Sequence, residues 1–266
     1  MIDVINIILY VAIWISGTVF GSFFTLAVHR IPKHQDITHE RSYCPNCNHK
    51  LQFLDLIPVL SYIFLGGKCR YCKTKIRPRY LILEICSGLT FLLLAISQNI
   101  TCDSTIKEWI LFVLSALFIV SLFITAGIDK EHHKVINGVM LYGTIIGVFK
   151  VIYLFIFDLP FLSNSICFGV CVILWFVFNI ISSSIVEKDA NSSSHSRRID
   201  YIQGLLLYLA TIGLFFGYKI FLIGLAATII LCILYNLALK IFKKENKIPA
   251  AFIISIVYTV LLFLNI

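Results

Sequence analysis

Charged residues are scarce in this chain. Only 14% of its 266 residues are charged, whereas 59% are hydrophobic. A soluble domain is closer to about a quarter charged and about half apolar. Apolar runs of about twenty residues recur along the chain, which is the length a helix needs to cross the hydrocarbon layer of a membrane. The composition therefore excludes an ordinary soluble domain and predicts a polytopic membrane protein.

Signal-peptide features are also lacking. A signal peptide places a basic segment before its apolar region and a small-residue cleavage site after it, and neither accompanies the first apolar run. We therefore expect a retained anchor, in which the spacing of Gly17 and Gly21 lets a neighbouring helix approach closely. The apolar pattern predicts an all-α membrane helix bundle of about eight spans. These are expected at 4–28, 81–97, 109–127, 137–157, 164–186, 201–217, 219–239 and 250–266.

Lysine and arginine are scarce in every second loop. The positive charge lies in the 29–80 segment and in the loops near 130, before 200 and near 245. The positive-inside rule then places these loops in the cytoplasm and both termini outside. The net charge of +8 is explained by this topology and by attraction to anionic membrane lipid. No nucleic-acid recognition motif accompanies the charge, so we expect no nucleic-acid partner.

The polar 29–80 segment contains two cysteine pairs, CPNC and CRYC. They are formed by Cys44 with Cys47 and by Cys69 with Cys72. Two C-x2-C turns about two dozen residues apart suit one tetrahedral zinc ion, which would order a segment too short to have a core of its own. Two disulfides are the alternative, but pairing within each turn is too local for ordinary structural bridges, and the cytosol is reducing.

Acidic residues are few as well, numbering 14, and most of them fall in loops. Those expected at the cytoplasmic ends of spans are Glu84, Asp129, Glu131 and Asp200. Asp129 in GIDKEHHKVIN and Asp200 in SRRIDYIQG share one expected membrane depth. Two close carboxylates in a low-dielectric site do not both ionise readily, so the charged one could activate water while the protonated one polarises a peptide carbonyl. The alternative is that each aspartate caps the N-terminus of a helix.

Several blocks of the chain match, in order, the motifs of one membrane enzyme family. GSFFTLAVHRIP at 21–32 is similar to a GSFLNVxxxRLP block. The tetracysteine segment, with its Gly-Lys-Cys-Arg run and its closing Glu84, is similar to the tetracysteine segment of that family. IDKEHHKVIN resembles the family block that holds the first catalytic aspartate. The IPAAF stretch before the last span resembles IPFGPF. The chain therefore resembles the type IV prepilin peptidases, which mature pilins and pseudopilins.

This resemblance implies a membrane aspartic endopeptidase with Asp129 and Asp200 as the catalytic pair. Its substrate would be a prepilin or pseudopilin, whose short basic leader is cut after a glycine at the cytoplasmic face of a prokaryotic inner membrane. The family often also methylates the new amino terminus with S-adenosylmethionine, so this cofactor is expected beside a structural zinc ion. The chain lacks a glycine-rich dinucleotide-type loop, and the residues that would bind the methyl donor stay unassigned. The implied domains are a first span at 1–28, a cytosolic zinc segment at 29–80 and a peptidase bundle at 81–266.

Two family glycines are missing before the second aspartate. The usual motif is GxGD, and the loss of both glycines restricts the backbone just before Asp200. We expect activity to be retained; the alternative is a proteolytically inactive relative that acts as a membrane assembly factor or only as a methyltransferase. A transporter should show internal repeats and polar groups at mid-membrane, and no clear repeat is present. Arg197 and Ile199 stand where the family has the two glycines, and Ile202 stands where a lysine often follows. Elsewhere, Ile136-Asn137 stands in place of the family's Pro-Asp, and Thr25 in place of the asparagine of GSFLN.

Overall fold

The computed structural model describes residues 4–37, 41–186, 193–241 and 248–264, and side chains are not described at 183–186, 193–197 and 241. These residues are all-α, as predicted. The helices are α1 (Val4–Arg30), α2 (Leu60–Phe64), α3 (Arg79–Ser97), α4 (Ile106–His132), α5 (Asn137–Ile156), α6 (Leu162–Val186), α7 (Ser193–Phe216), α8 (Tyr218–Ile241) and α9 (Ala250–Phe263). Parts of the basic loops before 200 and near 245 lie outside the described residues.

All eight predicted spans contain a helix. Within the described ranges, seven helices are long and apolar enough to cross a membrane, namely α1 and α3 to α8. The last helix, α9, has 14 residues, which makes it about 21 Å long and shorter than a hydrocarbon core of about 30 Å. The five-residue helix α2 was not predicted, because so short an element carries no readable hydrophobic period.

The chain divides into two compact units, Met1–Phe112 and Val113–Ile266. In the first unit α1 packs on α3 through small residues, as the Gly17 and Gly21 spacing predicts. A Cβ atom at Gly17 would lie 2.9 Å from the Cα of Gly88, and one at Gly21 would lie 2.8 Å from the Cα of Glu84. The Ser87 hydroxyl donates to the Gly17 carbonyl at 2.7 Å. Only glycine lets the two backbones approach this closely.

The second unit is organised around α7, which packs against α5, α6, α8 and α9. Tyr208 on α7 shares a hydrogen bond of 2.7 Å with Ser255 on α9, and both residues are buried. The rings of Phe118 and Phe215 stack with centroids 4.0 Å apart, which joins α4 to α7. These contacts hold α4, α7 and α9 as neighbours.

Candidate functional sites

The two cysteine pairs form matching turns. Cys44 donates its amide to His49 and its carbonyl accepts from Asn48, while Cys69 donates to Thr74 and accepts from Lys73. Antiparallel bridges flank the two turns, between Tyr43 and Lys50 and between Lys68 and Lys75. Asn48 and Lys73 occupy the same place in each turn, with φ of +55° and +59°. Each turn therefore points two thiols to one side by local backbone geometry.

The four thiol groups meet at one point. The Sγ atoms of Cys44, Cys47, Cys69 and Cys72 all lie within 4.8 Å of one another. Cys44 and Cys72, from different turns, have sulfurs 3.8 Å apart, and a tetrahedral zinc with bonds of about 2.3 Å places its sulfurs about 3.8 Å apart. All four cysteines are free thiols, which argues against the disulfide alternative. The cluster could therefore hold a zinc ion.

The carboxylate of Asp55, which precedes α2, binds the turn that contains Cys69 and Cys72. Asp55 accepts hydrogen bonds from Arg70 Nε at 2.6 Å, from the Tyr71 hydroxyl at 3.2 Å and from the Gln52 amide at 3.1 Å. Burial alone would raise the pKa of Asp55, but the hydrogen bonds from Arg70, Gln52 and Tyr71 outweigh it and hold the pKa below its usual value. The ring of Tyr71 in turn lies on His49, with centroids 3.6 Å apart. Asp55 thus stabilises the cysteine cluster from outside the ligand set.

Glu84 of α3 binds the backbone of the 29–80 segment at Val59. One of its carboxylate oxygens accepts the Val59 amide at 2.7 Å. Val59 is buried and has φ of +61°, which is rare and strained for a β-branched residue. Glu84 therefore fixes an unfavourable turn against α3, and the closing glutamate of the tetracysteine block has a structural role here.

The first aspartate is fully buried and bound by two elements distant in sequence. Asp129 has 0% of its surface exposed and lies in the last turn of α4, where a negative charge faces the unfavourable end of the helix dipole. Its Oδ1 accepts from the Tyr201 hydroxyl at 2.9 Å, and its Oδ2 accepts from the Phe252 amide at 3.0 Å. The Ala250 amide donates to the Tyr201 oxygen at 3.1 Å. The first-turn amide of Phe252 is satisfied in this way, and that of Ala250, which also donates to the Ile248 carbonyl at 3.0 Å, gains a second acceptor.

The second aspartate faces a different way. Asp200 is exposed and lies inside α7, one residue before Tyr201. Successive side chains on a helix point about 100° apart, so when Tyr201 points to Asp129 its neighbour does not. The described hydrogen bonds of Asp129 go to Tyr201 and α9, and none of them goes to Asp200. Neither aspartate is the N-cap of the helix it was expected to precede, because each lies within a helix.

Sequence reasoning missed Tyr201 and the α9 amides. Tyr201 stands beside a candidate catalytic residue in an otherwise apolar stretch, and that neighbourhood is the signal that could have drawn attention to it. Nearby, Glu131 is exposed, and the buried Nε2 of His132 has no hydrogen-bond partner among the described residues. The cysteine group is the one cluster of three or more potential metal-binding side chains found within the described ranges.

Comparison with known proteins gives one matching family model and several similar curated proteins. Residues 15–98 match the sequence model of the Bacterial Peptidase A24 N-terminal domain. A prepilin leader peptidase/N-methyltransferase of Klebsiella pneumoniae is 36% identical over 87 residues, which cover 30% of this chain and 38% of that protein. The protein of the same name from Vibrio cholerae is 33% identical over 118 residues, or 40% and 45% of the two chains. That from Bacillus subtilis is 30% identical over 153 residues, or 58% and 52%.

The chain thus spans between about a third and a half of the length of these curated relatives. No solved structure gives a significant match. The fold and the cysteine cluster define the class as an all-α polytopic membrane protein with a site that could bind zinc. Within that class, residues 15–98 are similar to the N-terminal domain of the bacterial A24 peptidases, and this match contains the whole tetracysteine block.

Proposed function

We propose that this protein is a membrane aspartic endopeptidase that removes the short leader of prepilins or pseudopilins. The relatives are named prepilin leader peptidase/N-methyltransferase, and the chain has Asp129 and Asp200 where the resemblance implies the catalytic pair. The observation that supports the proposal most is Asp129, a fully buried carboxylate with both oxygens oriented by hydrogen bonds. Carboxylates are rarely buried in a membrane bundle unless they pair or perform a function.

Asp129 and Asp200 would act as one pair. In the proposed reaction one carboxylate accepts a proton from water while the other donates a hydrogen bond to the scissile carbonyl. Tyr201 orients Asp129, and the exposed Asp200 lies next to it in sequence. We propose that the substrate brings Asp200 into the pair, because its side chain must turn from solvent toward Asp129. Catalytic contacts often tighten only in the substrate complex.

The same proposal places the pair at the cytoplasmic face of a prokaryotic inner membrane, with both termini outside, on the distribution of lysine and arginine. Zinc would be held by Cys44, Cys47, Cys69 and Cys72 and would supply structural order to the cytosolic segment, without a step in peptide cleavage. Methylation of the new amino terminus with S-adenosylmethionine is proposed from the relatives' names alone. The partition into a first span at 1–28, a zinc segment at 29–80 and a peptidase bundle at 81–266 is proposed on the pattern of apolar runs and the position of the cysteine pairs.

The second candidate is an inactive relative that acts in membrane assembly. It is favoured by the structural role of Asp129, whose carboxylate binds an α9 amide. It is also favoured by the exposure of Asp200 and by Arg197 and Ile199 in place of the two glycines. If Asp129 is retained only to bind α9, its hydrogen bond to the α9 amide is explained without any catalysis.

Leader cleavage in membranes that contain a prepilin-type precursor separates the two candidates. Asp129→Asn and Asp200→Asn should each slow cleavage by a factor of roughly 10² or more, the range for general acid–base groups, and the double variant should be no slower, because the two act as a unit. Glu131→Gln, on the same turn of α4, is the matched control and should cleave at nearly the parent rate. If Asp200→Asn cleaves like the parent, or if the parent cleaves no precursor, the aspartic peptidase assignment fails.

A further inference from the structure

The stretch from 53 to 64 exposes an unusual amount of apolar surface outside the spans. Phe53 is 79% exposed and Phe64 is 83% exposed, in a short 3-10 turn and in α2 respectively. Neighbouring exposed apolar residues are normally covered by a partner or a membrane. The members of this apolar patch are Phe53, Leu54, Leu56, Leu60, Ile63 and Phe64.

The orientation of the apolar patch is set by the residues between its members. Asp55 faces inward to Arg70 and Tyr71, and Val59 faces inward to Glu84. Tyr62 packs against Gly67, where a Cβ atom would lie 2.8 Å from its hydroxyl. Because these three residues face the cysteine turns and α3, the six apolar side chains must point away from them. The contacts of Asp55, Val59 and Tyr62 therefore fix the six apolar side chains in their exposed orientation.

The hydrogen bond from Val59 to Glu84 also fixes the depth of this stretch. Glu84 lies five residues into α3 (Arg79–Ser97), which is about 7.5 Å along the helix axis at 1.5 Å per residue. Since α3 has the length and apolar composition of a membrane span, this hydrogen bond keeps the Val59 backbone beside the first turns of that span, within reach of the Glu84 side chain. Amphipathic segments that lie on membranes bury their apolar face about 5–10 Å into the boundary between headgroups and acyl chains.

Basic side chains surround the patch in sequence. The exposed ones belong to the same segment that carries the cysteine turns. The acidic Asp55 is occupied by Arg70, so the exposed charge of the cysteine turns is positive. Anionic lipid headgroups attract such residues with about 1 kcal/mol each near the surface. The exposed members are Lys50, Lys68, Lys73, Lys75 and Arg77.

We propose that the 53–64 stretch is an interfacial membrane anchor. Its apolar patch enters the boundary between headgroups and acyl chains beside α3, and the basic residues of the cysteine turns bind anionic phosphate groups. The cysteine cluster is thereby held against the membrane surface instead of extending into the cytosol. This inference depends on α1 and α3 crossing a membrane and does not depend on leader cleavage.

The test uses the full chain in lipid nanodiscs and an introduced tryptophan. Phe64→Trp places the probe in the patch, and Gln35→Trp is the matched control at an exposed polar position of the same segment. The parent, whose three tryptophans give the background, is measured in parallel. Lipids brominated near the headgroup should quench the Phe64→Trp probe at least about twofold more than the Gln35→Trp probe. Aqueous iodide should give the reverse order.

Three results would overturn the proposal or part of it. Equal lipid quenching of the two probes would show that the patch does not enter the membrane. A Phe64→Trp signal that lipid leaves unchanged but a prepilin-type peptide shifts would identify a protein-docking surface instead. Quenching that is the same with phosphatidylcholine alone as with added phosphatidylglycerol, at low salt, would remove the role of the basic residues, whose attraction is screened by salt. Zinc content, measured on each variant, confirms that the segment has folded.

Discussion

The cysteine cluster and the aspartate site are assembled in opposite ways. In the cluster, each pair of thiols is placed by one short turn with its own backbone hydrogen bonds, and all four sulfurs already lie within 4.8 Å. In the aspartate site, the contacts of Asp129 join residues 72 and 123 positions apart in sequence, and Asp200 is exposed. A metal site of local turns can be complete before any ligand arrives. A site made from three helices depends on how those helices pack, and in the proposed reaction the substrate would have to bring Asp200 to Asp129.

The largest expected effect is on the cysteine cluster. Cys44→Ser should reduce bound zinc from about one ion per chain to almost none, because a structural site requires all four ligands. The 41–76 region should then become sensitive to protease, since metal binding supplies its folding free energy. The membrane helices should persist, because lipid and helix packing stabilise them separately. Elemental analysis, limited proteolysis and circular dichroism measure these three quantities.

Cys86→Ser is the control for that experiment, because Cys86 is an exposed cysteine of α3 outside the cluster. It should keep the parent's zinc content and protease resistance. Retention of one zinc ion by Cys44→Ser would show that the cluster is not the metal site. Disulfides found in the untreated protein between these cysteines would have the same meaning.

A second prediction concerns Tyr201, the residue that joins the two halves of the aspartate site. Tyr201→Phe removes the hydrogen-bond donor to Asp129 Oδ1, and a buried polar group left without its partner costs about 1–3 kcal/mol. The variant should unfold at a lower temperature. If Tyr201 orients Asp129 for catalysis, kcat should fall while KM for a prepilin-type substrate stays nearly unchanged.

Tyr208→Phe separates stability from catalysis in this comparison. It also removes a buried hydroxyl of α7, the one bonded to Ser255, and should cost a similar free energy of unfolding. It leaves both partners of Asp129 in place, so kcat should remain near the parent value. Equal kcat in the two tyrosine variants would mean that Tyr201 has only a structural role.

The sequence could predict features that form from local stretches of the chain, but it could not predict those that depend on helix packing. The apolar runs predicted the helices, because the length and hydropathy of a span are local properties. The cysteine cluster was predictable for the same reason, since two C-x2-C turns and one ion leave few arrangements. The binding of Phe252 and Tyr201 to Asp129 was not predictable, because it depends on the packing of α4, α7 and α9. The apolar patch was missed because α2 is too short to show a hydrophobic period.

A third prediction tests the helix pair that carries the cysteine segment. Gly21→Ala would place a Cβ atom 2.8 Å from the Cα of Glu84, a contact that backbone atoms cannot avoid by a rotamer change. Overpacking of this kind costs about 1–3 kcal/mol, and the shift of Glu84 should loosen Val59. Gly169→Ala is the matched control within a membrane helix, because nothing lies within 4 Å of its Cβ position. Thermal unfolding in detergent should separate the two variants, and equal midpoints would contradict the close packing of α1 on α3.

The smallest expected effect belongs to Asp55, and its sign follows from the pKa. The hydrogen bonds from Arg70, Gln52 and Tyr71 hold the pKa of Asp55 below its usual value, so the folded state favours the ionised carboxylate. This stabilisation is complete above the unfolded pKa of about 3.9 and is lost as the pH falls through the lower folded value. Asp55→Asn should therefore speed hydrogen exchange in 41–76 modestly at neutral pH, since Arg70 is largely exposed and solvent screens the pair. After correction for the intrinsic exchange rate, the difference between parent and variant should stay constant as the pH is lowered within the range where zinc remains bound, because stronger acid would protonate the thiolates and release the metal. A difference that instead grows under acid would mean that Asp55 is protonated in the folded protein, and its role in holding the second cysteine turn would have to be abandoned.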